Sequence, residues 1–219
     1  MTERDFTWPL RGLYAITDGA ASAQVLAEQV AAWIAGGAQV VQYRDKTSDA
    51  ARRLTEARAL RTVCREAGVP LLINDDVALA AAVGADGVHL GRADAGPARA
   101  RAQLGAGALI GVSSYADLGR ARAAVAQGAD YVAFGRFFAS ATRPDAPPAP
   151  LAVLQAARAA LSVPIVAIGG ITPDNAPMLI AAGADLVAVI GGLRGADPAA
   201  QARAYAEQFT IAASVSTGA

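Results

Sequence analysis

Lysine is almost missing from this chain: of its 19 lysines and arginines, 18 are arginine, and the one lysine is Lys46. Histidine and cysteine are as scarce, with His89 and Cys64 the sole examples. One cysteine excludes an internal disulfide, and no Cys/His cluster exists to hold zinc. On an arginine-rich helical segment, Cys64 reads as a small packed hydrophobe. His89 falls inside a strand and reads as a packed structural residue in preference to a catalytic one. No Cys-His or Ser-His-Asp arrangement of recognisable spacing is present, so chemistry through a side-chain nucleophile is not expected. No apolar run reaches the roughly 18 residues of a membrane span, because Gly, Asp and Arg interrupt every candidate. Residues 1–11 lack the apolar stretch of an export signal. Neither sign of charge dominates, with 19 acidic side chains against the 19 basic ones, which argues against diffuse attraction to nucleic acid. Any anion must therefore be bound locally, and a cytoplasmic location is expected.

What is present is a repeat. From Leu13 onward, short apolar runs of strand type alternate with Ala-rich segments of helical period, the pattern of strand-helix units around a parallel sheet. The predicted strands are 13–17, 39–43, 70–74, 86–90, 108–113, 130–135, 163–168 and 185–190. Gly37-Ala38-Gln39, Gly84-Ala85-Asp86, Gly128-Ala129-Asp130 and Gly183-Ala184-Asp185 each end a helix and open an even-numbered strand, with Gly where a helix C-cap takes a left-handed residue. Pro70 and Pro164 open strands three and seven, where the missing N–H does no harm. Eight such units either close into a (β/α)₈ barrel or spread into an open doubly wound sheet. The regular repeat, and the absence of a Gly-x-Gly-x-x-Gly after strand one, favour the barrel. The expected organisation is an N-terminal extension over 1–12, a single TIM-barrel domain over 13–209, and a flexible tail over 210–219. One loop is long: residues 136–148, rich in Pro, Arg and hydroxyls, read as an active-site loop.

A buried strand does not carry charge in its middle. The run Val40-Val41-Gln42-Tyr43-Arg44-Asp45-Lys46 therefore marks a strand emerging at a polar cleft, and the same change recurs along the chain. Strand three ends in Asn74, Asp75 and Asp76; strand four in Gly91, Arg92 and Asp94; strand five in Ser113 and Ser114. Strand six leads to Ser140, Thr142 and Arg143. Strands seven and eight end in Gly169-Gly170 and Gly191-Gly192, which bring backbone N–H groups to where barrels of this kind bind phosphate. Singly, each has a plain reading: Asn74-Asp75 as a helix cap, the glycine pairs as turns, Ser113 as an N-cap. Together they place a polar site on one rim. Asp75 and Asp94, on adjacent strands with Lys46, Arg44 and Arg143 around them, suit Mg²⁺, which takes one or two protein carboxylates and completes its shell with water and substrate phosphate. A diphosphate is the implied ligand.

The segments Gln42-Tyr43-Arg44-Asp45-Lys46, Leu72-Ile73-Asn74-Asp75, Gly87-Val88-His89-Leu90-Gly91, Gly111-Val112-Ser113, Gly128-Ala129-Asp130-Tyr131-Val132 and Ala167-Ile168-Gly169-Gly170-Ile171 jointly resemble the thiamine phosphate synthase family, over about 13–192. The resemblance implies coupling of 4-amino-2-methyl-5-hydroxymethylpyrimidine diphosphate to a thiazole phosphate, giving thiamine phosphate and pyrophosphate. It further implies that Gln42, Tyr43, Arg44, Asp45, Lys46, Asn74, Ser113 and Arg143 hold the pyrimidine diphosphate. Asp75 and Asp94 would hold Mg²⁺. Ser140, Ala141, Thr142, Gly170, Ile190 and Gly191 would hold the thiazole phosphate, and Lys46, Arg143 and Ser113 would be catalytic. Arg143 stands where the family usually has Lys, Arg92-Ala93-Asp94 where Gln-Glu-Asp is common, and Gly191 where Ser is frequent. Two rivals remain: a thiazole tautomerase, which would need no diphosphate-Mg²⁺ site, and a non-catalytic barrel that senses thiamine precursors. The expected partners are phosphorylated small molecules, with nucleic acid and membrane excluded and self-association left open.

Overall fold

Strands and helices alternate along the whole chain in the computed structural model, which describes residues 8, 11–20, 22–139 and 147–216. They are β1 (Gly12–Ile16), α1 (Ala23–Ala35), β2 (Ala38–Tyr43), α2 (Ala50–Glu66), β3 (Leu71–Asn74), α3 (Val77–Val83), β4 (Gly87–Leu90), α4 (Pro97–Leu104), β5 (Leu109–Tyr115), α5 (Leu118–Ala126), β6 (Tyr131–Gly135), α6 (Ala152–Ala160), β7 (Ile165–Ile168), α7 (Ala176–Ala181), β8 (Leu186–Val189) and α8 (Pro198–Ser216), with a 3₁₀ turn at Gly191–Leu193. Each strand pairs in parallel with the next, and β8 pairs with β1, so the sheet closes into a barrel. Every predicted strand is found within two residues of its expected ends.

Strand alternation divides the core in two. Tyr14, Ile16, Val40, Leu72, Tyr131 and Val166 fill the barrel interior. Leu13, Val41, Ile73, Val88 and Val132 face outward and pack with helix residues such as Leu26, Leu60 and Leu154. Trp8 packs against the interior cluster, its ring 5.7 Å from that of Tyr131.

The Gly-Ala-Asp repeat has a structural use at the N-terminal rim. Gly84, Gly128 and Gly183 all have positive φ, as the turn out of a helix requires. The aspartate that follows each one reaches across to the preceding strand. Asp86 accepts the Leu71 N–H at 2.8 Å, Asp130 the Ile110 N–H at 2.7 Å, and Asp185 the Ile165 N–H at 2.8 Å. Each also pairs with an arginine from the helix leading into that strand: Arg61, Arg101 and Arg158 respectively. Three of the 18 arginines thus serve barrel closure at the N-terminal rim, where sequence regularity reads as stability.

One boundary differs from expectation. Helix α8 runs on past Phe209 to Ser216, where a flexible tail was expected from 210 onward. The lack of charge suggested a frayed end, but the helix of Pro198–Ser216 continues through that stretch. Among the described residues, no helix is long and apolar enough to cross a membrane.

Candidate active site

The C-terminal rim carries two cavities that share Asn74. The inner one, about 390 Å³, lies within the barrel mouth. Its walls include Gln42, Arg44, Asn74 and Ser113 on one side, Gly170, Ile190 and Gly191 on the other, and Tyr14, Ile16 and Val166 below. The outer one, about 680 Å³, is strongly polar and is lined by Lys46, Asn74, Asp75 and Asp94, together with Arg53 and Arg99. A partly apolar well that adjoins a charged basin at Asn74 suits a ligand with a flat organic part and an anionic part.

The metal expectation can be tested on the carboxylates themselves. Asp76, not Asp75, caps α3, accepting the Leu79 N–H at 2.9 Å. That leaves Asp75 free of the capping role, and its φ of 64° turns it back toward β4, a conformation aspartate tolerates better than most residues. Its carboxylate takes the Lys46 ammonium at 2.5 Å and a hydrogen bond from the Asp94 side chain. Asp94 in turn accepts the Gly91 N–H at 2.6 Å. Burial lifts the Asp75 carboxyl, but the hydrogen bonds from Lys46 and Asp94 outweigh it and hold the group below the usual carboxylate range. Asp94 is pushed above that range by burial and by its hydrogen bond to the Asp75 carboxylate. Two carboxyl groups close enough to push each other's titration apart form a donor set a divalent cation fits, since the cation offsets their repulsion. Among the described residues no group of three or more His, Cys, Asp or Glu is arranged for a metal. A two-carboxylate Mg²⁺ site does not need one.

Below the inner cavity runs a chain of polar contacts. Gln42 Nε2 donates to the Tyr14 hydroxyl at 2.7 Å, which is 2.8 Å from the Tyr131 hydroxyl. Tyr131 is 2.9 Å from His89 Nδ1, and His89 Nε2 is 2.9 Å from Ser113 Oγ. An amide nitrogen only donates, so one direction satisfies the whole series: Tyr14 donates to Tyr131, Tyr131 to Nδ1, and Nε2–H to Ser113. The serine then keeps its own proton to offer into the cavity. Burial drives the His89 pKa down to about 4, so the ring stays neutral in this role. His89 is buried as expected, yet it also lines the cavity and orients Ser113.

Gln42, Arg44, Asn74, Ser113, Gly170, Ile190 and Gly191 thus meet in one cavity, and Lys46, Asp75 and Asp94 meet in its neighbour. One expected ligand residue points elsewhere. The Tyr43 ring faces outward, where its hydroxyl donates to Glu56 of α2 at 2.8 Å. This corrects the expectation for Tyr43, and the cause is strand parity, since Gln42 takes the inward position. Asp45 lines the outer cavity beside Lys46, and its carboxylate oxygens accept the Thr47 N–H and hydroxyl, each at 2.8 Å, so it also shapes the turn that presents Lys46. Ser140, Ala141, Thr142 and Arg143 lie outside the described residues. Tyr14, Tyr131, Tyr115 and Arg136 line or underlie the inner cavity and were not singled out from the sequence. Their signal was faint: a tyrosine on an inward strand position looks like core until its hydroxyl finds partners.

Confinement of all this chemistry to one rim places the protein among the (β/α)₈ barrel enzymes. Comparison with known proteins narrows the class. Residues 13–193 match the family model described as thiamine monophosphate synthase, and the chain belongs to that family. It is 57% identical over 201 residues to the thiamine-phosphate synthase of Azoarcus sp. (strain BH72), covering 91% of this chain and 98% of that one. Identity to the thiamine-phosphate synthase of Marinobacter nauticus is 55% over 202 residues, covering 90% of each. Among solved structures, thiamine phosphate pyrophosphorylase from Pyrococcus furiosus superposes with a TM-score of 0.81 at 31% identity, over 92% of this chain and 96% of that one.

Proposed function

We propose that the protein joins 4-amino-2-methyl-5-hydroxymethylpyrimidine diphosphate to a thiazole phosphate, plain or carboxylated, and releases thiamine phosphate and pyrophosphate, together with carbon dioxide when the thiazole is carboxylated. The observation that carries this reading is the Asp75–Asp94 pair beside Lys46, in a basin that meets a mainly apolar well at Asn74. The well takes the pyrimidine ring, with Gln42 and Ser113 on its edges. The basin takes the diphosphate beside Lys46. Asp75 and Asp94 hold Mg²⁺, which when bound supplies charge neutralisation for the diphosphate. The bond from the exocyclic methylene carbon to the diphosphate oxygen breaks, and its electron pair leaves with pyrophosphate. The aminopyrimidine ring spreads the resulting positive charge, and the thiazole nitrogen lone pair forms the new C–N bond.

The second phosphate is given to the opposite wall. Gly170 has a φ of 64°, and a side chain there would run into the Ala139 carbonyl, so glycine lets the β6 loop sit directly on the β7 turn. Gly191 faces open space and starts a 3₁₀ turn, whose first N–H groups have no partner within the turn. Holding both partners turns a bimolecular encounter into a positioned one. Arg143 is the proposed second cation for the leaving pyrophosphate, and a cytoplasmic location is proposed with it.

Pyrophosphate release from the two substrates, with and without Mg²⁺, tests this reading. Mg²⁺-dependent release supports it. Isomerisation of a thiazole phosphate without pyrophosphate would favour a tautomerase, and tight substrate binding without turnover would favour a sensor. The exclusive lysine adds a sharper expectation. Lys46 occupies one oxygen of Asp75, and an arginine fork would take both oxygens and compete with the metal. Lys46→Arg should therefore raise the Mg²⁺ concentration for half-maximal activity by about tenfold, roughly 1.4 kcal/mol, as read from an activity titration.

A further inference from the structure

The β4–β5 ladder stops one step short of the site. Its register ends at Leu90 opposite Val112, and the next residues, Gly91 and Ser113, leave their carbonyls beyond the last paired position. Both carbonyls are taken by one side chain. Arg120 Nε donates to the Ser113 carbonyl at 2.8 Å, and Nη2 donates to the Gly91 carbonyl at 3.0 Å. Asp117, the N-cap of α5, accepts the Arg120 N–H at 3.0 Å and fixes where the side chain starts. The guanidinium is 5.9 Å from the Tyr115 ring centre, and Arg92 lies over the same ring at 4.7 Å. Tyr115 sits where the β5 register with β6 shifts, and its φ is 56°, so this strand end is not held by regular pairing alone.

We propose that Arg120 is a positioning residue that couples the two halves of the site, an inference that rests on the reaction proposed above. Gly91 gives its N–H to Asp94, and Ser113 presents its hydroxyl to the inner cavity. By bridging the two carbonyls, Arg120 sets the spacing between the metal-side carboxylate and the pyrimidine-side hydroxyl. The side-chain bridge fixes the two strand ends where the ladder's register stops. Only a planar fork with two parallel donors spans both carbonyls, since a lysine ammonium lacks that geometry.

The test compares wild type, Arg120→Lys, Arg120→Gln and Arg101→Ala in three measurements: thermal unfolding, steady-state kinetics, and calorimetric affinity for pyrophosphate with Mg²⁺. Arg101 belongs to the opposite rim, where it holds Asp130, and serves as a purely structural control. The expected result for Arg120→Gln is a drop of about 10- to 100-fold in kcat, the usual cost of losing a group one step behind the ligands. Affinity for pyrophosphate with Mg²⁺ should fall in parallel. Arg120→Lys, which keeps the charge and the stem, should fold and sit between the two. Arg101→Ala should lower the melting temperature with kcat and pyrophosphate affinity unchanged. Wild-type kcat and pyrophosphate affinity in folded Arg120→Lys and Arg120→Gln would overturn the proposal, as would a loss confined to melting temperature. A wild type that releases no pyrophosphate would instead overturn the reaction itself.

Discussion

Asp75→Asn and Asp94→Asn should each lower the rate of pyrophosphate release by about 10²–10³-fold, the scale of losing one preorganised charge-stabilising group, while the melting temperature changes little. The structure separates these effects. Asparagine has nearly the same shape as aspartate, and the cap of α3 belongs to Asp76, so neither change removes a helix cap. Asp94→Asn keeps an oxygen able to accept the Gly91 N–H. What each change removes is a carboxylate oxygen able to carry negative charge toward a cation, at a place where the two carboxyl groups stand close enough to shift each other's titration in opposite directions. The Mg²⁺ dependence should weaken in both variants. Losing Asp75 should cost more, because its carboxylate also orders the Lys46 ammonium. Variants that retain near-normal Mg²⁺-dependent release, measured beside a thermal unfolding curve, would show that the pair serves packing and not chemistry.

The barrel was legible because its signals are local and repeated. A glycine that leaves a helix and an aspartate that opens a strand recur at Gly84-Ala85-Asp86, Gly128-Ala129-Asp130 and Gly183-Ala184-Asp185, and each aspartate clamps the preceding strand. The rim was legible for a related reason, since an abrupt change from apolar to charged residues marks where a buried strand ends. Direction is what a run of residues does not display. In Gln42-Tyr43-Arg44-Asp45-Lys46 the alternation sends Gln42 into the barrel and Tyr43 out to Glu56, and Asp45 also bonds within the turn. Likewise the plain reading of Asn74-Asp75 as a helix cap fails by one residue, because the cap is Asp76 and the backbone conformation at Asp75 turns that residue out of the role. Arg120 was hidden differently. It is one arginine among 18 on a helix, and its two carbonyl partners belong to strands that only the closed barrel brings side by side.

Gly111→Ala should be damaging although it adds a single methyl group to a strand interior. Gly111 lies between His89 on β4 and Tyr131 on β6. The Tyr131 ring lies so close above it that an added Cβ would overlap the ring at Cζ, Cε1 and the hydroxyl. The ring has no way to swing aside. It is fully buried among Tyr14, Leu109 and Val166, and its hydroxyl is bonded to Tyr14 and lies against His89 Nδ1. Forcing a methyl into such a core costs about 1–3 kcal/mol, which for a chain of this size lowers the melting temperature by about 2–4 °C per kcal/mol. The same displacement breaks the hydrogen-bonded series from Gln42 to Ser113, so kcat should fall as well, with Ser113 no longer fixed as a donor. Gly107→Ala is the matched control, because a Cβ there meets nothing. It should be silent in both measurements. If the collision with Tyr131 is the cause, shortening that side chain must relieve it: Gly111→Ala should destabilise a Tyr131→Leu background by much less than it destabilises the wild type. Equal losses in the two backgrounds, measured by a double-mutant cycle of unfolding free energies, would place the fault in the strand backbone and leave the polar series without its proposed hold on the site.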